Sequence, residues 1–208
     1  MNRFSCEDVN RLRIRIRDYM SNKRYEHTLG VERAAVLIGN IVLNNKVNEL
    51  RVAALLHDIA KDLDPIEMLC LAKKCGTLLS DEDLNTYSAL HSFAATGLVL
   101  RDFPEYATED VLRSIERHTL GDENMTLFDK IIFISDYVEE GRTYDSCLKV
   151  REYLLGSLSG NNEDDVNIRI LNNAIVMSID YTADALNSKG IKINCRSENT
   201  KRSILNSN

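Results

Sequence analysis

An apolar run of helical period with a histidine-aspartate pair set into it constrains this chain more than any other feature. Val52, Leu55, Leu56, Ile59 and Leu63 follow the i, i+3, i+4, i+7 spacing of a buried helix face, and His57-Asp58 lies among them. A carboxylate that close to a core face is costly unless a partner or a metal compensates it. The other histidines, His27, His91 and His118, fall in three further helical regions. Asp136 adds a carboxylate to a second apolar run, Ile131-Ile132-Phe133-Ile134-Ser135-Asp136-Tyr137. All 4 histidines of the chain can therefore be drawn into one metal site.

Local chemistry offers plainer uses for the same residues. Asp58 can pair with Lys61 three positions on, a helix contact worth a few tenths of a kcal/mol. Asp136 can cap or pair within its own helix, and a lone helical histidine is usually a surface or satisfied core residue. As a metal set, mixed imidazoles and carboxylates suit Fe, Mn, Zn, Co or Ni better than Ca or Mg. Adjacent helix positions diverge by about 100°, so His57 and Asp58 do not chelate as a parallel fork. Asp58 can instead span two metals while His57 binds one. The histidines with Asp58 and Asp136 suffice for two ions sharing a bridge, with positions left for water and substrate. Paired ions roughly 3.5–4 Å apart are a recurrent device of phosphoester chemistry.

Only 2 prolines and 9 glycines interrupt 208 residues, so long helices are expected, and the reading is all-α throughout, a compact helical array with its histidines inward. Ser5 with Asp8 reads as a capping box opening a first helix. Further helices are expected over about residues 24–43, 47–62, 66–74, 88–102, 108–118, 126–140, 147–158 and 166–187. Gly76 is expected to end the helix at 66–74, and residues 81–84 to begin a connecting segment. Arg11, Arg13, Arg15 and Arg17 fan over a solvated face of the first helix. Residues 1–187 read as one domain, and the polar residues 188–208 as a C-terminal tail without catalytic signal.

The net charge of -6 and a pI of about 5.3 argue against a broad nucleic-acid surface, though not against a small anionic substrate held by metals. No run reaches the roughly 20 apolar residues of a membrane span, and the first residues lack the apolar stretch of a signal peptide. The 5 cysteines, odd in number and without CxxC pairs, fit a reduced cytoplasmic protein, with Cys70 and Cys75 lining the core.

The ordered set His27, His57-Asp58, His91, His118, Asp136 resembles the HD superfamily of metal-dependent phosphohydrolases, and most closely its YqeK-type branch. The similar segments are His27-Thr28-Leu29-Gly30-Val31, residues 54–61, Leu90-His91-Ser92, and the long stretch 115–132 continuing through Ser135 to Arg142. Together they spread over about residues 20–185. Ser135 stands where the family often has alanine, and Glu140 where proline is common. The tail and the N-terminal arginines lie outside the resemblance.

The resemblance implies symmetrical hydrolysis of diadenosine tetraphosphate, or a related dinucleoside polyphosphate, to two ADP by metal-activated water attacking an inner phosphorus. It assigns His27, His57, Asp58 and Asp136 to one metal and Asp58, His91 and His118 to the other, with iron as the native pair and Mn, Co, Ni or Zn as substitutes. Asp58 and Lys61 are then catalytic. Lys61, Thr119 and Arg142 contact substrate phosphate, Arg142 in bidentate fashion. The implied partner is a small nucleotide, with neither nucleic acid nor membrane, and a homodimer is compatible. Alternatives that use the same ligands remain open: another HD nucleotidase or phosphodiesterase, an HD-fold oxygenase with paired iron, or a metal-bound nucleotide sensor without turnover.

Overall fold

In the computed structural model, residues 3–74, 79–80, 82–83, 86 and 89–207 are described. Among them the chain forms helices and turns and no strand, as the sequence predicts. The helices are α1 (Cys6–Arg15), α2 (Asn22–Val42), α3 (Val47–Leu56), α4 (Pro65–Lys74), α5 (Leu90–Asp102), α6 (Glu109–Arg117), α7 (Leu127–Val138), α8 (Asp145–Ser157), α9 (Asp164–Asn187) and α10 (Cys195–Asn206). Among the described residues no helix is long and apolar enough to cross a membrane.

Helix starts follow their capping residues. Ser5 Oγ accepts from the Asp8 amide at 3.1 Å while the Asp8 carboxylate accepts from the Ser5 amide at 2.9 Å, closing the expected box. Thr126 and Asp129 make the same reciprocal pair at the start of α7. Asp129 is fully buried and also accepts from Arg113 and Arg117 of α6, each at 3.0 Å. One carboxylate thus caps α7 and clips it to α6, which fixes the helix carrying Asp136 against the one leading to His118.

The expected helix over 47–62 stops earlier. Regular α-helix ends at Leu56, and the chain continues through tighter turns with bonds from the Ile59 amide to Leu56 O and from the Lys61 amide to Asp58 O. His57 and Asp58 stand at that break. Ile59 remains fully buried and Leu63 packs on the core, so the apolar pattern runs past the end of the helix itself.

Helix α5 is buried along Leu90–Val99 and packs between α4 and α6. Its Ser92 and Thr96 hydroxyls donate to backbone carbonyls three residues back, so neither is stranded in the core. Helix α2 packs on α3 and α7, and α9 spans α7, α8 and α10. Leu55, Leu56, Leu98, Ile115 and Ile131 are among the fully enclosed side chains, each contributing about 2 kcal/mol of burial.

The N-terminal arginines pair with carboxylates: Arg13 with buried Glu32 at 2.7 Å, Arg15 with Glu105, and Arg11 with Asp8 at 3.7 Å. Cys70, expected to line the core, is exposed, because α4 turns Met68, Leu71 and Ala72 inward instead. Cys75, Gly76 and the expected helix start at Ser88 lie outside the described residues, as do parts of the 81–84 segment.

The segment after residue 187 adopts more order than its composition suggests. Residues 195–206 form α10, with Ile193, Thr200 and Ile204 buried. Asn194 caps that helix by accepting from the Arg196 amide at 2.8 Å. Arg196 Nε donates to both oxygens of buried Asp83 at 2.9 and 3.0 Å.

Candidate metal centre

The fold brings His27, His57, Asp58, His91, His118 and Asp136 together, each from a different element except the adjacent pair. His27 comes from the second turn of α2, His57-Asp58 from the break after α3, His91 from the start of α5, His118 from the end of α6, and Asp136 from α7.

Backbone hydrogen bonds orient two of the imidazoles. His57 Nδ1 donates to Ala54 O and His118 Nδ1 to Ile115 O, both at 2.7 Å. That tautomer leaves each Nε2 bare and directed into the cluster. His27 Nδ1 faces Glu139 Oε1 at 3.1 Å, so its Nε2 is turned inward likewise. Lys61 Nζ stands over the edge of the His91 ring, 2.9 Å from Nδ1 and 3.1 Å from Nε2.

Asp58 joins two histidine groups through separate oxygens. Its Oδ2 lies 3.7 Å from His27 Nε2 and 3.6 Å from His57 Nε2. Its Oδ1 lies 2.9 Å from His91 Nε2 and 3.5 Å from His118 Nε2. Asp136 Oδ1 lies 3.0 Å from His27 Nε2 and 3.9 Å from His57 Nε2. Two sets of donor atoms, His27-His57-Asp136 and His57-Asp58-His118, are each compact enough to surround one cation.

The electrostatics suit a cation. Burial pushes His57 down to about 3 and His91 down to about 4, so both are neutral imidazoles with lone pairs at ordinary pH. Burial also opposes ionisation of Asp58, but His57, His118 and His91 outweigh it and hold the carboxyl well below the usual range. Asp136 is held down in the same way by Arg142 and His27 against its burial. For His27 burial lowers the pKa, yet Asp136, Asp58 and Glu139 together raise it above its ordinary value.

The donor set passes a direct test of fit. His27 Nε2 and His57 Nε2 are buried nitrogens without a hydrogen-bond partner, although Asp136 is within 3.0 Å of the first. Bare buried nitrogens beside ionised carboxylates are what a divalent transition metal would satisfy.

The centre lies at the floor of a cleft of about 1000 Å³ whose wall carries Lys23, Arg24, Arg33, Lys61 and Arg142. Arg142 pairs with Asp136, and Thr119 Oγ1 stands 3.1 Å from His118 Nε2. Lys61, Thr119 and Arg142 line the cleft beside the histidine-aspartate cluster.

Three participants escaped the sequence reading. Glu139 holds His27 across a sequence gap of 112 residues and also accepts from the Gly141 amide at 2.6 Å. A Cβ on Gly30 would lie 2.4 Å from Glu139 Oε2, which explains the glycine in His27-Thr28-Leu29-Gly30. Arg24 Nη1 donates to Asp58 Oδ2 at 2.5 Å, and its position three before His27 on one helix face was the available signal. Arg151 donates to Val138 O at 2.6 Å and Arg142 O at 2.8 Å, holding the loop that aims Glu139 and Arg142.

Comparison with known proteins gives a consistent result. A model of the HD domain family matches residues 24–141. A Halalkalibacterium halodurans protein named symmetrical bis(5'-nucleosyl)-tetraphosphatase is 33% identical over 146 residues, 70% of this chain and 76% of that one. A Bacillus subtilis protein of the same name is 31% identical over 140 residues, 66% and 72% of the two chains. A Clostridium acetobutylicum crystal structure, described as a predicted HD superfamily hydrolase involved in NAD metabolism, superposes with a TM-score of 0.80 at 29% identity over 99% of each chain.

Proposed function

The chain belongs to the HD domain family, and from that premise we propose that it hydrolyses diadenosine tetraphosphate symmetrically to two ADP. The observation that carries the chemistry is the split carboxylate of Asp58, with Oδ2 toward His27 and His57 and Oδ1 toward His91 and His118. His27, His57, Asp58 and Asp136 would hold one transition-metal ion and Asp58, His91 and His118 a second, with iron as the proposed metal. Bound divalent ions supply a water of lowered pKa and positive charge against the phosphates.

The remaining groups act on the substrate. Arg142 and Arg24, paired with ligand carboxylates in the structure, offer planar donors to phosphoryl oxygens. Lys61 offers a point charge beside His91, and its partial burial opposes that charge and lowers its pKa. Thr119 supplies a hydroxyl next to His118 and His91. The relatives named as symmetrical tetraphosphatases support the choice of substrate.

The test is a product assay. Protein loaded with iron or manganese is offered a panel of mono- and dinucleotides, and the products are resolved by chromatography. Diadenosine tetraphosphate yielding ADP alone agrees with the reading. ATP with AMP, or turnover confined to mononucleotides, contradicts it.

A further inference from the structure

A second cavity, of about 180 Å³, lies beyond the metal cluster between α7, α9 and the segment entering α10. That space is an order of magnitude above what a single water requires. It shares Thr119, Asp136 and Arg142 with the main cleft, so the two spaces meet at the groups that border phosphate.

Its chemistry differs from that of the cleft. Phe133, Ile179 and Ile193 present apolar surface, and Tyr137 presents a half-buried ring. Among the described residues, none of Lys, Arg, Asp or Glu lines it away from the shared wall, where His118 is the one imidazole, so it is poorly suited to a second phosphate group. The hydroxyl of Ser178 donates to Ile175 O at 2.7 Å, that of Thr182 to Ser178 O at 2.8 Å, and that of Ser197 to Leu120 O at 2.9 Å. With their protons committed, these oxygens offer lone pairs to a donor-bearing ligand. Apolar faces with a few fixed acceptors are the usual setting for a flat, neutral heterocycle.

The cavity also divides the chain by origin. The six metal-site residues all fall within the segment 24–141 matched by the family model, whereas Ser178, Ile179, Thr182, Ile193 and Ser197 lie after it. Shared chemistry and added recognition would then come from different parts of the molecule.

We infer that this cavity receives the nucleoside end of the substrate, its purine lying against Phe133, Ile179 and Ile193 while the attached diphosphate reaches the metal cluster past Thr119 and Arg142. This rests on the dinucleotide reading given above and adds the place where a base is held. It also gives the segment after residue 187 a part in binding.

Two measurements on the full chain loaded with manganese test it. In the first, calorimetry compares ADP with inorganic pyrophosphate on wild type and on Ile179→Phe, which fills the cavity. The ADP dissociation constant should rise about tenfold or more, the loss of one base contact, while that of pyrophosphate stays within about twofold. Equal ADP affinity in the two proteins overturns the inference. The second needs no variant: a photoreactive azido-ADP is crosslinked to wild type and the labelled peptides are mapped. Label on Tyr137 or on the peptides containing Ile179 and Ile193 supports the cavity. Label on Tyr144 or Lys23 at the mouth of the main cleft overturns it. Hydrolysis assays on the same wild-type sample report separately on the reading beneath. Turnover to ADP with label at the cleft mouth sinks only the cavity, and label in the cavity without turnover sinks only the enzymatic reading.

Discussion

Asp58 is buried and Asp136 half-buried, both carboxyls are held below their usual pKa range, and their partners differ, so single substitutions should separate their surroundings. Asp58→Asn keeps shape and loses charge, so bound metal and turnover should fall together, as measured by elemental analysis beside product assays; near-wild-type turnover at saturating metal would refute the shared bridge. Arg142→Ala should leave metal content unchanged and raise KM about tenfold to a hundredfold, the loss of one or two charge-assisted hydrogen bonds. Loss of metal in that variant would make Arg142 a structural partner of Asp136 instead. Glu139→Ala frees His27 Nδ1, and metal affinity should weaken about 10- to 100-fold in a competitive chelator titration. Unchanged affinity would mean that packing alone orients the ring. The six proposed ligands stand out in the sequence because histidine is scarce, because Asp58 and Asp136 interrupt apolar runs, and because their order resembles the HD pattern. Glu139 was not, since it lies in an ordinary run of acidic residues and meets His27 only once α2 and α7 pack.

Each site helix is held by bonds that local pattern only partly reveals. The capping serine and threonine signal where α1 and α7 begin, whereas the early end of α3 depends on tight-turn bonds that its apolar stripe conceals. The C-terminal helix was hidden for a related reason: its composition is polar, and it docks by few apolar side chains and many polar contacts. Ser197 bonds Leu120 O, and a Cβ on Gly121 would lie 2.5 Å from Thr200 Oγ1, so α10 braces the turn that follows His118. Gly121 has φ +77°, a conformation that costs other residues about 1–3 kcal/mol. Gly121→Ala should lower Tm by several degrees, and adding Thr200→Ala should restore part of the loss by removing the contact. A Tm equal to wild type would show that α10 yields freely. Asp83 links the same helix to the segment before α5. Its burial raises the pKa, but Arg196 and Ser80 outweigh that and hold it below the ordinary 3.8. A depressed folded pKa contributes stability above the unfolded value and loses it as pH falls through the folded one. Acid unfolding monitored below about pH 4 should therefore be blunted in Asp83→Asn, which has no such proton to take up; an acid limb as steep as that of wild type would assign it to other carboxylates.

For the whole molecule, a chain of net charge -6 lines one cleft with both signs, Lys23, Arg24, Arg33, Lys61 and Arg142 standing among carboxylates that include Asp58 and Asp136. Metal binding to the folded state alone should stabilise it by about 2.7 kcal/mol when free metal is a hundredfold above its dissociation constant. Thermal unfolding with and without a chelator should then differ by about 5–10 °C, and coincident curves would contradict a metal site formed by the fold. The helical class and the inward histidines could be read from periodicity and scarce glycine. The enclosure around them could not, because it arises from contacts between segments far apart in the chain. The most direct test of the central claim is hydrolysis of diadenosine tetraphosphate by the metal-loaded protein in ¹⁸O-water, followed by mass spectrometry of the products. ADP alone is expected, with one heavy oxygen in one of each two ADP molecules, on its terminal phosphate. Label on an inner phosphate, or ATP with labelled AMP, would contradict it.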